Sequence, residues 1–289
     1  MNFMSWPLLA FINIITAAVV VLLERVLLKD ENSNPVASAI IFQFGLGVMA
    51  LLAAVGLGRF SWPTFAAHPE FVWLFGLAAL LWTGSTLFNF KAAKKIGAGE
   101  ITILGASSSI IAIFLSVLFL GEVLKISTIA GTALILLAVW LINREKLSFN
   151  SREGVILALV GAACAGVAVV IDASILRTYD VFSYVAIMSF LPGLILVCVF
   201  PKQITKIPAL LKPKQFLFMS VFCFIYTIQG LSYYLAFQNG APMSQLTPLS
   251  KSSIILTVIL AAIFLQEKSN LKQKVVAALL VTVGAVLLG

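Results

Sequence analysis

The chain reads as an all-α membrane protein of ten transmembrane helices, arranged as two inverted five-helix repeats. Three observations lead there: a composition that water cannot solvate, apolar runs of spanning length from end to end, and short motifs that recur at a near-constant offset in the two halves. Hydrophobic residues make up 61% of the 289 residues and charged residues only 10%, with a mean hydropathy of +1.10. A soluble domain carries about 25% charged residues. Ten runs of about 21 residues, each enough to cross about 30 Å of hydrocarbon, leave roughly 80 residues for ends and loops. That is too little for a folded soluble domain, which excludes a tethered enzyme head or a nucleic-acid module. The net charge of +8 is spread over short loops, where topogenic lysines and arginines account for it without a nucleic-acid partner.

Breaks at charged and turn-forming residues place the spans at about 6–28, 36–57, 71–90, 98–120, 126–143, 154–177, 181–200, 215–237, 243–265 and 271–288. The first, Trp6 to Leu28, is too long for a cleaved signal peptide and lacks its basic leading region. Segments such as Lys29-Asp30-Glu31-Asn32-Ser33-Asn34-Pro35 interrupt the apolar pattern decisively, and Glu122 with Lys125 is too costly to leave in lipid. The shortest division falls at Tyr179-Asp180. Cys164, Cys198 and Cys223 lie inside apolar runs without a CxxC spacing, as small packing residues rather than a disulfide framework or metal site.

Basic residues fall unevenly on alternate sides of these spans. Fifteen, from Arg25 and Lys29 through Lys272 and Lys274, share one side, and only Arg59, Lys125 and Arg177 occupy the other. The richer side is expected to be cytoplasmic, so both termini face outward. Trp6, Trp62, Trp73 and Trp140 then fall near the outer boundary, where interfacial tryptophans concentrate. Short loops and the absence of a targeting segment fit a bacterial inner membrane.

The halves, residues 1–146 and 147–289, echo each other. Phe119-Leu120-Gly121-Glu122 closes span four and Phe264-Leu265-Gln266-Glu267 closes span nine. Ser108-Ser109-Ile110-Ile111 answers Ser252-Ser253-Ile254-Ile255, and Ile96-Gly97-Ala98 answers Asn239-Gly240-Ala241. Five spans is an odd number, so the second copy enters the membrane upside down. Two such halves can exchange conformations and open a central site to each side in turn, which is the logic of a carrier.

On these residues the chain resembles the drug/metabolite transporter superfamily, in its EamA-type ten-helix members. The resemblance covers nearly the whole chain as two five-helix units. Its most specific element is an aliphatic-Leu-x-Glu ending of the fourth helix followed by a glycine in the fifth, here Leu120 and Glu122 with Gly131, and Leu265 with Glu267 in the second half. The second copy departs from the pattern, because Val276 stands where the glycine is expected and Gly284 lies further on. Members are commonly drawn with cytoplasmic termini, against the charge count here. The resemblance implies transport of amino acids, drugs, nucleotide sugars or similar metabolites without ATP hydrolysis.

Ionisable groups at membrane depth are expensive and mark function. Lys251 follows Pro248 in span nine, where a proline-broken helix exposes backbone to a substrate, and its ammonium suits a carboxylate or phosphate. Its bland reading is a structural ion pair or a lysine reaching the interface. Asp172 in span six is its natural counter-charge or a proton-coupling carboxylate, unless it pairs with Arg177 near the outer end. Trp82, Ser85 and Asn89 share one helix face, and Tyr226, Gln229 and Tyr233 repeat the pattern 144 residues on. Both faces are expected to line a solute cavity, although interhelical hydrogen bonds alone would also keep them inside the bundle. Asn13 and Thr16 are further candidates for that cavity. Glu122 and Glu267 read as helix-end markers, Glu24 and Arg25 as a helix-end pair, and Gly161, Ala165 and Gly166 as close packing.

No enzyme is expected. A serine-type intramembrane protease needs a histidine at membrane depth, and the one histidine, His68, stands beside Pro69 in a loop. The aspartyl type needs paired carboxylates, and Asp180 sits in a turn without the accompanying Gly-x-Gly-Asp. There is no phosphate-binding loop and no metal-ligand cluster, so no cofactor is called for. The expected function is secondary transport of a small organic metabolite, an amino acid or other zwitterionic or anionic solute, by a protein able to act as a monomer in the bilayer. Protons are a candidate coupling ion. The alternatives are proton-coupled multidrug or cation efflux and, more remotely, a channel or intramembrane protease. Single cysteines placed by Ser5→Cys and Asn150→Cys are expected to label from opposite sides, Ser5 from outside; labelling of position 5 only from the cytoplasm would reverse the orientation.

Overall fold

A chain in hydrocarbon has to satisfy its backbone polar groups internally, and helices do so within each segment. The computed structural model describes residues 5–28, 33–120, 126–143, 149–210, 212–267 and 270–288, and the regular structure among them is helical throughout. In chain order the helices are α1 (Trp6–Leu28), α2 (Pro35–Gly56), α3 (Glu70–Lys95), α4 (Ala98–Gly105), α5 (Ser107–Leu115), α6 (Ile126–Asn143), α7 (Phe149–Leu176), α8 (Val181–Val199), the single turn α9 (Ile207–Leu210), α10 (Pro213–Gln238), α11 (Met243–Ser250), α12 (Ser253–Phe264) and α13 (Leu271–Leu288). Among the described residues seven stretches are long and apolar enough to cross a membrane: Trp6–Leu28, Pro35–Gly56, Glu70–Lys95, Ala98–Phe119, Arg152–Leu176, Val181–Val199 and Pro213–Gln238. Gly121, Glu122, Lys125, Arg144, Lys146 and Lys268 lie outside the described residues, as does the segment 29–32.

Two of the expected spans are broken, and the breaks correspond. The run from Ala98 divides at Ala106, and the run from Met243 divides at Lys251-Ser252, 145 positions from Ala106 at Lys251. At each break the backbone tightens to bonds spanning three residues, Ala106 N–H to the Ile103 carbonyl (3.1 Å) and Ser252 N–H to the Leu249 carbonyl (3.0 Å). Hydroxyls take up carbonyls there: Ser107 donates to Leu104 and Ser108 to Gly105, each at 2.7 Å, and Ser250 donates to Leu246 at 2.9 Å. Such local bonds are what let a helix break at membrane depth. Pro248 lies inside α11, so the interruption falls just after the proline. The first run has no proline; it is continued beyond α5 by a π-helical segment, Ser116–Leu120.

Long helices pack in reciprocal pairs. α1 lies along α10 and α3 along α7, while α2 packs on α8 and α6 on α13. Small residues permit the closest approaches. A β-carbon at Gly166 would stand 2.6 Å from the Ser108 carbonyl oxygen, and one at Gly284 would stand 2.7 Å from that of Gly131. The glycine displaced in the second copy of the motif therefore packs directly on the glycine of the first. Outward faces stay apolar: Phe119 and Phe264, the matched motif positions, are 74% and 71% exposed.

The two ends are tied differently. At the end rich in basic residues, Arg25 pairs with Glu267 (2.9 Å), Lys274 with Glu100 (3.1 Å) and Lys95 with Glu153 (2.7 Å). Glu267 also accepts from the Ala98 N–H at 2.9 Å, capping α4, and a β-carbon at Gly97 would stand 2.6 Å from its carboxylate oxygen. It is thus a clamp across three elements and more than a helix-end marker. The expected pair of Glu24 with Arg25 does not form, because neighbours on a helix point about 100° apart. At the opposite end Asp180 caps α8, accepting from Phe182 N–H (2.9 Å) and Ser183 N–H (3.1 Å), and pairs with Arg59 (2.7 Å). His68 lies there beside Glu70, at 3.0 Å.

Candidate functional site

Inside the bundle a cavity of about 330 Å³ is bordered by α1, α2, α3, α4, α5, α7, α8, α10 and the α11–α12 break. Helical periodicity builds its walls. From α1 come Asn13, Ala17, Val20, Val21 and Glu24, at i, i+4, i+7, i+8 and i+11, a single stripe of a 3.6-residue helix. From α3 come Trp82, Ser85 and Asn89, and from α10 Tyr226, Gln229 and Tyr233. Lys251 enters from the break, next to Ser250 and Ser253. Seven of the eight site residues expected from the sequence therefore border one cavity.

Asp172 is the eighth, and it stands behind the wall. It has no exposed surface. The Trp82 indole N–H donates to its carboxylate at 3.0 Å, and the hydroxyls of Tyr184 and Tyr234 donate to its two oxygens. All three donors line the cavity. Tyr184 and Tyr234 meet edge to face with centroids 5.7 Å apart, and Tyr233 meets Tyr234 likewise at 5.3 Å. Asp172 makes no ion pair with Lys251 or Arg177, so the expected counter-charge role gives way to that of an anchor for three aromatic side chains.

Most other polar groups of the wall are spoken for. Gln43 donates to Thr86 (2.7 Å), Asn89 to Ser85 (3.3 Å), Asn13 to the Gln229 carbonyl (2.9 Å) and Thr102 to the Ala98 carbonyl (2.5 Å), while the Tyr233 and Thr247 hydroxyls are 2.7 Å apart. Thr16 turns back on its own helix, donating to Ile12 at 2.7 Å, and does not border the cavity. Lys251 makes no hydrogen bond or ion pair among the described residues. Three buried acceptors on lining residues are also unpartnered, Asn13 Oδ1, Gln229 Oε1 and Glu24 Oε1.

Sequence reading missed Glu24, Tyr184 and Tyr234. The signal for Glu24 was its place on the Asn13 stripe. For the tyrosines no local signal exists, since Tyr234 is 62 positions from the carboxylate it serves. Among the described residues no group of three or more His, Cys, Asp or Glu side chains is placed to hold a metal ion.

Comparison with known proteins gives the same outline. The model of a family described as the EamA-like transporter family matches residues 4–144 and again residues 152–289. Twenty-seven chains of solved structures match. One of them, described as "Crystal structure of protein", aligns with 97% of this chain and 94% of its own, at a TM-score of 0.65 and 17% sequence identity. At that identity the likeness is one of fold. No curated protein matches the chain.

Removing one donor from Asp172 is expected to weaken the wall without emptying it. Tyr234→Phe should lower stability by about 1–3 kcal/mol, the range for a hydrogen bond to a buried acceptor, read as a fall of the thermal midpoint in detergent. An unchanged midpoint would show that Asp172 does not depend on that hydroxyl.

Proposed function

Because the chain belongs to the EamA-like transporter family, and is thus an integral membrane transporter of the drug/metabolite transporter superfamily, we propose that it is a secondary carrier. It moves an amino acid or another small zwitterionic or anionic solute by alternating access around the central cavity. The observation that carries this reading is the Lys251 ammonium. It borders the cavity beside a broken helix and is free of any partner among the described residues. Leaving a cation unpaired in a low-dielectric interior is costly, so its position favours an anionic group of the solute as the missing partner.

The carrier mechanism draws support from the packing. In this reading the chain crosses the membrane ten times, as two inverted units of residues 1–146 and 147–289, with α4–α5 and α11–α12 each forming one broken span. Exchange of the units trades α1 with α7, α2 with α8, α3 with α10 and α6 with α13. The pairings α1 on α10 and α3 on α7 then swap, while α2 on α8 and α6 on α13 map onto themselves. A bundle with such exchangeable contacts has two equivalent arrangements, one open to each side. Each end carries a polar contact between helices or loops, Arg25 with Glu267 at one and Arg59 with Asp180 at the other, which water can replace when an end opens. The basic end faces the cytoplasm, with both termini outside, in what is read as a bacterial inner membrane. The protein needs no second copy to complete the cavity.

A second reading follows from the aromatic side of the cavity. Trp82, Tyr184 and Tyr234 around Asp172, with Tyr233 beside Tyr234, would also suit a hydrophobic cation, which aromatic faces attract, with protons as the coupling ion. Thermal stabilisation of the purified protein across amino acids, anionic metabolites and amphipathic cations separates the two, because a ligand of the folded state raises the midpoint by mass action. The first reading predicts hits among carboxylates or zwitterions, weakened about thirtyfold or more in Lys251→Ala. Hits confined to cations, or affinity unchanged in a well-folded Lys251→Ala, would overturn it in favour of the second.

A further inference from the structure

We propose that Glu24 recognises a cationic nitrogen of the solute, which narrows the solute to an amine-bearing zwitterion held between Glu24 and Lys251. The inference rests on the reading of this cavity as the solute site. Two acidic side chains lie at the cavity, and they differ in what they still lack. Asp172 has three donors and no open surface. Glu24 borders the cavity directly, and its Oε1 is buried without a partner. Its neighbour Arg25 is committed elsewhere, to Glu267 at 2.9 Å and to the Ala93 carbonyl, and so does not neutralise it.

Glu24 and Lys251 border the same cavity without forming an ion pair with each other, and neither has another partner among the described residues. Buried charges are ordinarily paired. Two opposite charges that border one void without pairing with each other are complementary to a solute carrying both signs, and less so to a simple anion, which would leave Glu24 unanswered. The other unpartnered buried acceptors among the lining residues are Asn13 Oδ1 on the same stripe and Gln229 Oε1 on α10, whose backbone carbonyl Asn13 meets. Asn13 is eleven positions from Glu24, about 16 Å along α1.

The test uses the full-length protein purified in detergent and the proteinogenic amino acids, each compared with the acid lacking its amino group and the amine lacking its carboxylate. For an amino acid that binds, the deaminated acid is expected to bind about thirtyfold or more weakly. Glu24→Gln, which keeps the shape of the side chain, is expected to bring the amino acid down to the affinity of its deaminated acid and to leave that acid unchanged. Equal binding of the amino acid and its deaminated acid by the unaltered protein overturns the inference without recourse to any variant. So does a Glu24→Gln protein that retains the preference for the amino acid. In either case binding that is still lost in Lys251→Ala leaves the cavity reading intact, whereas binding of none of the three compound classes overturns both.

Discussion

Inside a bilayer there is no water to take up a polar group, so a charge buried between helices must meet a partner or face a cavity. Much of this bundle is arranged around that constraint. Asp172 is enclosed by an indole and two phenols, Arg25 and Lys274 are answered by Glu267 and Glu100, and serine hydroxyls cover the carbonyls freed where the two broken helices part. Against that background the unpaired state of Glu24 and Lys251 carries information. Neither has a partner among the described residues, and both border one void.

The same constraint explains how the cavity is kept. Asp172 holds Trp82, Tyr184 and Tyr234 from behind, so the aromatic wall takes its orientation from a carboxylate that does not itself border the cavity. Glu267 does comparable work at the basic end, joining α1, the start of α4 and the segment after α12, with Gly97 leaving room for its carboxylate. Rigid packing at small residues, Gly166 against Ser108 and Gly284 against Gly131, lies between these polar closures.

Legibility in the sequence followed the range of the interaction. Hydropathy and helical period are local, so the apolar runs and the faces of Trp82-Ser85-Asn89 and Tyr226-Gln229-Tyr233 were readable, and their constant offset marked both faces at once. The break after Pro248 was foreshadowed by the proline, whereas the one at Ala106 rests on a glycine and three serines that carry a weaker signal. Sequence adjacency suggests a pair of Glu24 with Arg25, although adjacent helical residues diverge and Arg25 reaches Glu267 instead. The cage around Asp172 was out of reach for a different reason. Which tyrosine meets a carboxylate depends on how α7, α8 and α10 assemble, and no spacing along the chain encodes that. Glu267 looks like an end marker in the sequence because its partners, Arg25 and Ala98, are 242 and 169 positions away.

The proposed carrier works only if the cavity serves as its solute site and opens to one side at a time. Counterflow in sealed proteoliposomes tests this most directly, using as labelled probe the amino acid that stabilises the purified protein most. A carrier predicts uptake that saturates and that is accelerated by unlabelled amino acid preloaded inside, without ATP. Uptake that rises linearly with concentration and ignores the preload would contradict it and mark the bundle as a passive pore.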